Sequence, residues 1–194
     1  MKKKHAGIHS RQELREWIYE DRKRNGYPRF YMLKGGLKDL VLHNEKYFIF
    51  RLLTELRHVE YYQNCGRGII SRCIGLWHFF LYKNLCWKTK CIVNPNTTGP
   101  GLVIYHLGSF MYVRKGSCVG RNFTMVGGVV LGRGGDGRIV IGDNVYCGLN
   151  VTIVGDVSIG DNVKIGAHAV VTKDIPTNSV AVGVPAKVIK HLVG

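Results

Sequence analysis

The chain is poor in acid: 13 Asp and Glu stand against 28 Lys and Arg in 194 residues, a formal charge of +15. That balance favours anionic ligands and surfaces without naming one, and a merely solvated basic surface is the plain alternative. The chain also lacks what nucleic-acid readers carry. It has no zinc-ligand spacing, no aromatic RNA-binding signature and no recognition-helix pattern, so nucleic acid is not expected as a partner. Long apolar runs are absent too. Met1-Lys2-Lys3-Lys4 opens like a secretion signal, but no uninterrupted apolar segment follows, and residues 69–87 contain Arg72, His78 and Lys83. Nothing is expected to span a membrane. The six cysteines (Cys65, Cys73, Cys86, Cys91, Cys118 and Cys147) form no CxxC pair and no regular framework. This argues against a disulfide scaffold and for a reducing, cytoplasmic compartment. With 45% apolar residues the chain still has enough to bury a sizeable core.

What the chain has is a period of six. Between Leu107 and Pro176 an aliphatic residue recurs every sixth position: Leu107, Val113, Val119, Met125, Leu131, Ile141, Cys147, Ile153, Ile159, Ile165 and Val171. The fourth residue after each opener is mostly apolar as well, as at Met111, Phe123, Val129, Val145, Val151, Val157, Val163 and Ala169. A stacked coil that turns a corner every six residues points both positions inward and buries a column that no single unit buries alone. Gly108, Gly120, Gly132, Gly142, Gly148, Gly160 and Gly166 follow the openers, where tight corners suit glycine, and Asp143-Asn144 and Asp161-Asn162 are turn residues at equivalent places. An antiparallel sandwich would need period-two strands, which the strict phase disfavours. Only the step from Leu131 to Ile141 breaks phase, by four extra residues.

The first half reads as helix. Ser10 and Glu13 make a capping box ahead of Leu14, Trp17 and Ile18, and Gly26-Tyr27-Pro28 stops that helix. A second runs from about Asn44 to Gln63 with Phe48, Leu52, Leu56 and Val59 on one stripe, ending at Asn64-Cys65-Gly66. A third, Ile69 to about Trp87, carries Ile70, Cys73, Leu76, Trp77, Phe80 and Leu81. Core packing is the default for that face; subunit contacts and lipid headgroups remain open, so peripheral membrane contact stays possible. Asn94 to Gly101 punctuates the switch from helix to coil. The domains expected are a helical cap over 1–90, a coil over 91–185 and a tail over 186–194.

The sixfold repeat and the closing run Val182-Gly183-Val184-Pro185-Ala186-Lys187 resemble the hexapeptide-repeat acyltransferases. The resemblance implies a mainly β fold, a left-handed parallel β-helix with an N-terminal α-helical cap, contrary to the usual right-handed crossover. Within that superfamily the cap, the single His at the start of the coil, the mid-coil loop and the GVPAK close resemble serine acetyltransferase over roughly residues 44–190. Relatives with a His-x-Gly segment like Tyr105-His106-Leu107-Gly108 occur among acetyltransferases of surface polysaccharide synthesis. The implied reaction moves an acetyl group from acetyl-CoA to an acceptor hydroxyl, L-serine or a sugar. No metal is implied.

By that resemblance His106 is the base that deprotonates the acceptor, a task suited to imidazole near neutrality. From composition alone a lone His is more often a surface or satisfied core residue. Two departures concern the acceptor side: the family's Asp before this His is Tyr105, and its second active-site His falls on Arg138. The loop Gly132-Arg133-Gly134-Gly135-Asp136-Gly137-Arg138 is shorter than the family's. Arg133 and Arg138 are candidates for a carboxylate or phosphate, with solvation of the loop as the alternative. Asp136 either compensates for the lost Asp or caps the turn, and the turn is favoured. For coenzyme A the resemblance implies a groove between coils of two subunits, lined at corners by Gly132, Gly148-Leu149 and Gly166-Ala167, with Lys173 and Lys187 for the phosphates; Leu149 replaces a family Ala and narrows the groove. Cys118 and Cys147 carry no signal of an activated nucleophile.

Three readings compete. The first is this O-acetyltransferase. The second is a non-catalytic trimeric scaffold that holds a protein partner or membrane surface. The third, a metal site of three histidines, is disfavoured because His106, His168 and His191 are dispersed along the coil. Within the first, the resemblance makes serine the family default and a saccharide hydroxyl its rival. Loss of the Asp at Tyr105 removes an acidic reader of the serine amine, and a sugar face would stack on Tyr105 or Tyr112, a slight preference for the sugar. The ending His191-Leu192-Val193-Gly194 lacks the family's terminal Ile and weakens the expectation of docking into cysteine synthase. The family threefold makes a homotrimer, or a dimer of trimers, the expected assembly.

Overall fold

The computed structural model describes residues 7–28, 31, 36–132 and 137–192. Four helices precede the coil: α1 (Arg11–Arg24), α2 (Leu37–Val41), α3 (Glu45–Cys65) and α4 (Ile69–Thr89). Ser10 caps α1, its Oγ accepting from Glu13 N at 3.1 Å. The return bond of the capping box reaches one residue further back, from His9 N to Glu13 Oε2 at 2.6 Å. Asn44 caps α3 through Lys46 N, and Gly66 closes it.

The stripe expected on α3 is largely buried. Leu52, Leu56 and Val59 are in the core, joined by Ile49 and Leu53, while Phe48 is half-buried. On α4 the expected core packing fails. Ile70, Leu76, Trp77 and Phe80 face solvent, and Tyr82, Cys86 and Thr89 are the buried residues. The physical reason lies on the opposite side of the helix. Gly75 meets α3 so closely that a Cβ there would stand 2.9 Å from Tyr62 Cβ. The Tyr82 hydroxyl, in turn, donates to Val93 O and accepts from Val93 N, which pins its own face to the start of the coil. Close approach at a small residue plus a satisfied buried hydroxyl decided which side turned in.

The coil is a left-handed parallel β-helix with three faces. The first face stacks β1 (Cys91–Val93), β3 (Met111–Val113), β6 (Val130–Leu131), β9 (Thr152–Ile153) and β12 (Val170–Val171). The second stacks β4 (Cys118–Val119), β7 (Ile139–Ile141) and β10 (Val157–Ile159). The third stacks β2 (Val103–Ile104), β5 (Thr124–Met125), β8 (Tyr146–Cys147), β11 (Lys164–Ile165) and β13 (Ser179–Val182), with β14 (Lys187–His191) added antiparallel to β13. The openers from Val113 to Val171 and their apolar fourth residues are all buried; Leu107 is partly so and packs against the same core. The coil starts a turn earlier than the repeat is legible, at Cys91. Between the second and third faces Asn122, Asn144, Asn162 and Asn178 take positive φ and link amide to amide, at 2.8, 3.0 and 2.8 Å. Such a ladder satisfies the corner side chains and fixes the stacking register.

A buried ionic cluster joins cap to coil. Arg57 of α3, fully buried, donates from Nε to Asp21 Oδ2 at 2.8 Å and from Nη1 to Glu60 Oε2 at 2.9 Å. It also donates to the backbone oxygens of Thr98 and Gly99. Asp21 accepts from Gly101 N and Leu102 N, and Glu60 from Asn96 N. Burial works against the Arg57 charge, but Asp21 and Glu60 outweigh it and hold its pKa above the ordinary value. The segment read as punctuation is thus gripped by three charges from the cap. Asn25 adds bonds to Leu102 O and from Ile104 N, two residues before His106.

Candidate active site

His106 stands at the end of β2, where the chain turns from the third face to the first. Its backbone N donates to Val126 O at 2.9 Å, which locks it to the next turn. The imidazole is exposed, keeping 66% of its side-chain surface, and its Nδ1 lies 3.2 Å from Glu45 Oε1. The other oxygen, Glu45 Oε2, accepts from Leu107 N at 3.2 Å. Glu45 is the first residue of α3, held there by the Asn44 cap. A carboxylate at Nδ1 selects the tautomer with hydrogen on that nitrogen and leaves the Nε2 lone pair outward, ready to take a proton. A carboxylate thus stands beside His106, contributed by the cap and not by the preceding residue. Sequence reasoning missed it because 61 residues separate the partners and a first-turn Glu already has a reason to be there, the helix dipole.

The same corner runs down the coil. Gly127 sits below His106: a Cβ there would meet Leu149 Cδ1 at 3.2 Å and His106 O at 3.6 Å. Asn150 N donates to Gly127 O, and His168 N to Leu149 O. Gly148, Leu149, Gly166 and Ala167 thus occupy one edge with His106. At roughly 4.8 Å per turn, Ala167 lies about 14 Å along it. Gly148 is required by the coil itself, since its Cβ would stand 2.7 Å from Ala167 N. Leu149 is 40% exposed and is the largest side chain among these corner residues. Tyr105 and Phe110 flank His106, each 53% exposed, and Phe110 stacks on Tyr112. Lys187 follows the corner turn Gly183–Ala186 and is exposed.

The remaining predicted residues lie elsewhere. Gly132, Arg138 and Lys173 stand where the first face turns to the second, a different edge of the prism. There Arg138 N donates to Asp156 Oδ1, and Gly137 O accepts from Arg114 Nη1. Arg133 and Asp136 lie outside the described residues. A single chain therefore does not bring Gly132, Arg138 or Lys173 to His106. Gly132 is not demanded by packing, since the nearest atom to a Cβ there is Val154 Cγ2 at 3.6 Å. Cys147 is fully buried and burial pushes its thiol pKa up, which makes it inert as a nucleophile at neutral pH. Among the described residues no three His, Cys, Asp or Glu converge as metal ligands.

Known proteins resemble this chain in sequence and in fold. The model for bacterial transferase hexapeptide repeats (six repeats) matches residues 138–173. WcaB of Escherichia coli strain K12, named as an acetyltransferase of colanic acid biosynthesis, is 39% identical over 129 residues, covering 53% of this chain and 80% of WcaB. The chain belongs to the hexapeptide-repeat acyltransferase family. It is also 34% identical over 96 residues to serine acetyltransferase 2 of Arabidopsis thaliana, which covers 47% of this chain but only 29% of that enzyme. In three dimensions this family member superimposes on the Brucella abortus serine acetyltransferase solved in complex with coenzyme A, with TM-score 0.65 and 24% identity, over 94% of this chain and 68% of that one. At that identity the likeness concerns the fold.

Proposed function

We propose that this family member is an acetyl-CoA-dependent O-acetyltransferase in which His106 is the general base and Glu45 orients it. The observation that carries the reading is the Glu45–His106 contact at the head of the corner edge. The acceptor hydroxyl gives its proton to Nε2 as its oxygen attacks the thioester carbonyl; the tetrahedral intermediate expels coenzyme A as a thiol, and the imidazolium returns the proton to the leaving sulfur. Direct transfer needs no acyl-enzyme, in keeping with the buried Cys147. Acetyl-CoA is supported by the coenzyme A bound to the Brucella relative, and Gly148, Gly166 and Ala167 leave the edge with little side-chain bulk for its extended arm except at Leu149. Lys173, on another edge, and Lys187 meet one ligand only if two copies build the site. The same holds for His106 and the Arg138 loop. We therefore take a trimer as the working assembly.

A sugar hydroxyl is the favoured acceptor. Tyr105 and Phe110 present exposed rings beside His106 on which a sugar face can stack, and Tyr105 stands where an acidic side chain would otherwise read the amine of free serine. The relatives named serine acetyltransferases keep L-serine as the second reading. The cytoplasm, where acetyl-CoA is made, fits the free state of the cysteines. The test is free-thiol release from acetyl-CoA across UDP-sugars, simple glycosides, L-serine and homoserine. Turnover is expected with a saccharide and slower turnover with serine. Fast turnover with serine reverses the acceptor, and no thiol release with any of them sinks the enzyme reading in favour of a scaffold.

A further inference from the structure

The exposed side of α4 is the least explained surface of the molecule. Ile69, Ile70, Leu76, Trp77, Phe80 and Trp87 are between 61% and 87% exposed. Their spacing places them along one stripe of a 21-residue helix, about 30 Å long. A single exposed aromatic needs no explanation, but a contiguous stripe of this kind marks a contact surface. Arg72 and Lys83 border it on one side and Lys88 on the other, all exposed. From Tyr61 to Gly135 the sequence contains no Asp or Glu at all. The carboxylates that α3 carries behind this helix, Glu55 and Glu60, are buried and paired with Arg51 and His78 and with Arg57. Among the described residues no acidic side chain of α3 or α4 is exposed on that face.

From this we infer that α4 is an interfacial helix that seats the protein on an anionic lipid surface, with the stripe in the headgroup boundary and Arg72, Lys83 and Lys88 on the lipid phosphates. The inference does not depend on the transferase reading. Charge decides among occupants. A second copy would bring the same basic border against this one, and like charges oppose that pairing. A neutral apolar partner would leave the basic border without a use. An anionic bilayer matches both the stripe and its rim, since Trp and Phe settle at the interface while Lys and Arg reach for phosphate. Among the described residues no helix is long and apolar enough to cross a membrane, so α4 lies along the surface.

The test is sedimentation of the full chain with large unilamellar vesicles of phosphatidylcholine alone, or of phosphatidylcholine with phosphatidylglycerol at three to one. It is repeated with the double variant Trp77→Glu, Phe80→Glu and with Arg72→Gln, Lys83→Gln. Particle mass in the absence of lipid is measured for each. The expected result is binding to the anionic vesicles at least about tenfold stronger than to phosphatidylcholine, weakened by salt and by the Arg72/Lys83 variant. The Trp77/Phe80 variant loses it while keeping the wild-type mass. Equal binding to both vesicles, no binding to either, or a fall in particle mass with Trp77→Glu, Phe80→Glu each overturns the inference; the last assigns the face to a second copy.

Discussion

At the scale of single residues the candidate site turns on one contact between chain segments. His106 was legible because it stands at the edge of a repeat and resembles the base of a known family. Glu45 was not, because a carboxylate at a helix start is accounted for locally by the dipole and says nothing of what lies across from it. The consequence can be measured. Glu45→Gln keeps the size and a hydrogen-bonding oxygen but loses the charge that, in the proposed mechanism, would stabilise the imidazolium formed during transfer. The variant is expected to lose at least about tenfold in kcat with KM for acetyl-CoA little changed, the pattern of an interaction made in the transition state. An unchanged kcat would make the contact a crossing of two surface side chains.

At the scale of elements, periodicity gave faces more reliably than directions. The coil units read correctly because a six-residue corner leaves no choice about which residues point inward. Residues 91–104 were harder, since Asn94 to Gly101 looks like a linker; it is instead the first turn, held by Arg57, Asp21 and Glu60 through backbone bonds that leave no sequence pattern. For α4 the pattern identified the apolar stripe and the contacts of Gly75 and Tyr82 turned it outward. The ionic cluster makes its own prediction. Arg57→Ala leaves Asp21 and Glu60 buried without their cation, and breaking such a pair costs about 3–5 kcal/mol. Urea denaturation should show a loss of that size. A change below about 1 kcal/mol would mean that water enters the site and that the cap is held by α3–α4 packing instead.

At the scale of the whole molecule, the prism separates what the linear chain places close together. Arg138 is 32 residues from His106 in sequence, yet the two stand on different edges of the coil, as Gly132 and Lys173 also do. His106, Gly148-Leu149 and Gly166-Ala167 share one edge because the repeat returns each of them to the same corner. Phase alone therefore predicts which residues can act together within a chain: those that differ by whole turns. Residues that do not, such as Gly132 and Arg138, stand on another edge, and would share the proposed site only if a neighbouring copy supplied them, so the acceptor side is harder to read from one chain than the donor side. The most direct measurement is the rate of thiol release from acetyl-CoA by His106→Ala, taken beside the wild type with the best acceptor and with coenzyme A binding measured on both. A loss of roughly 10²–10⁴-fold with coenzyme A binding retained is the expected result. A His106→Ala protein that turns over at the wild-type rate would contradict the account.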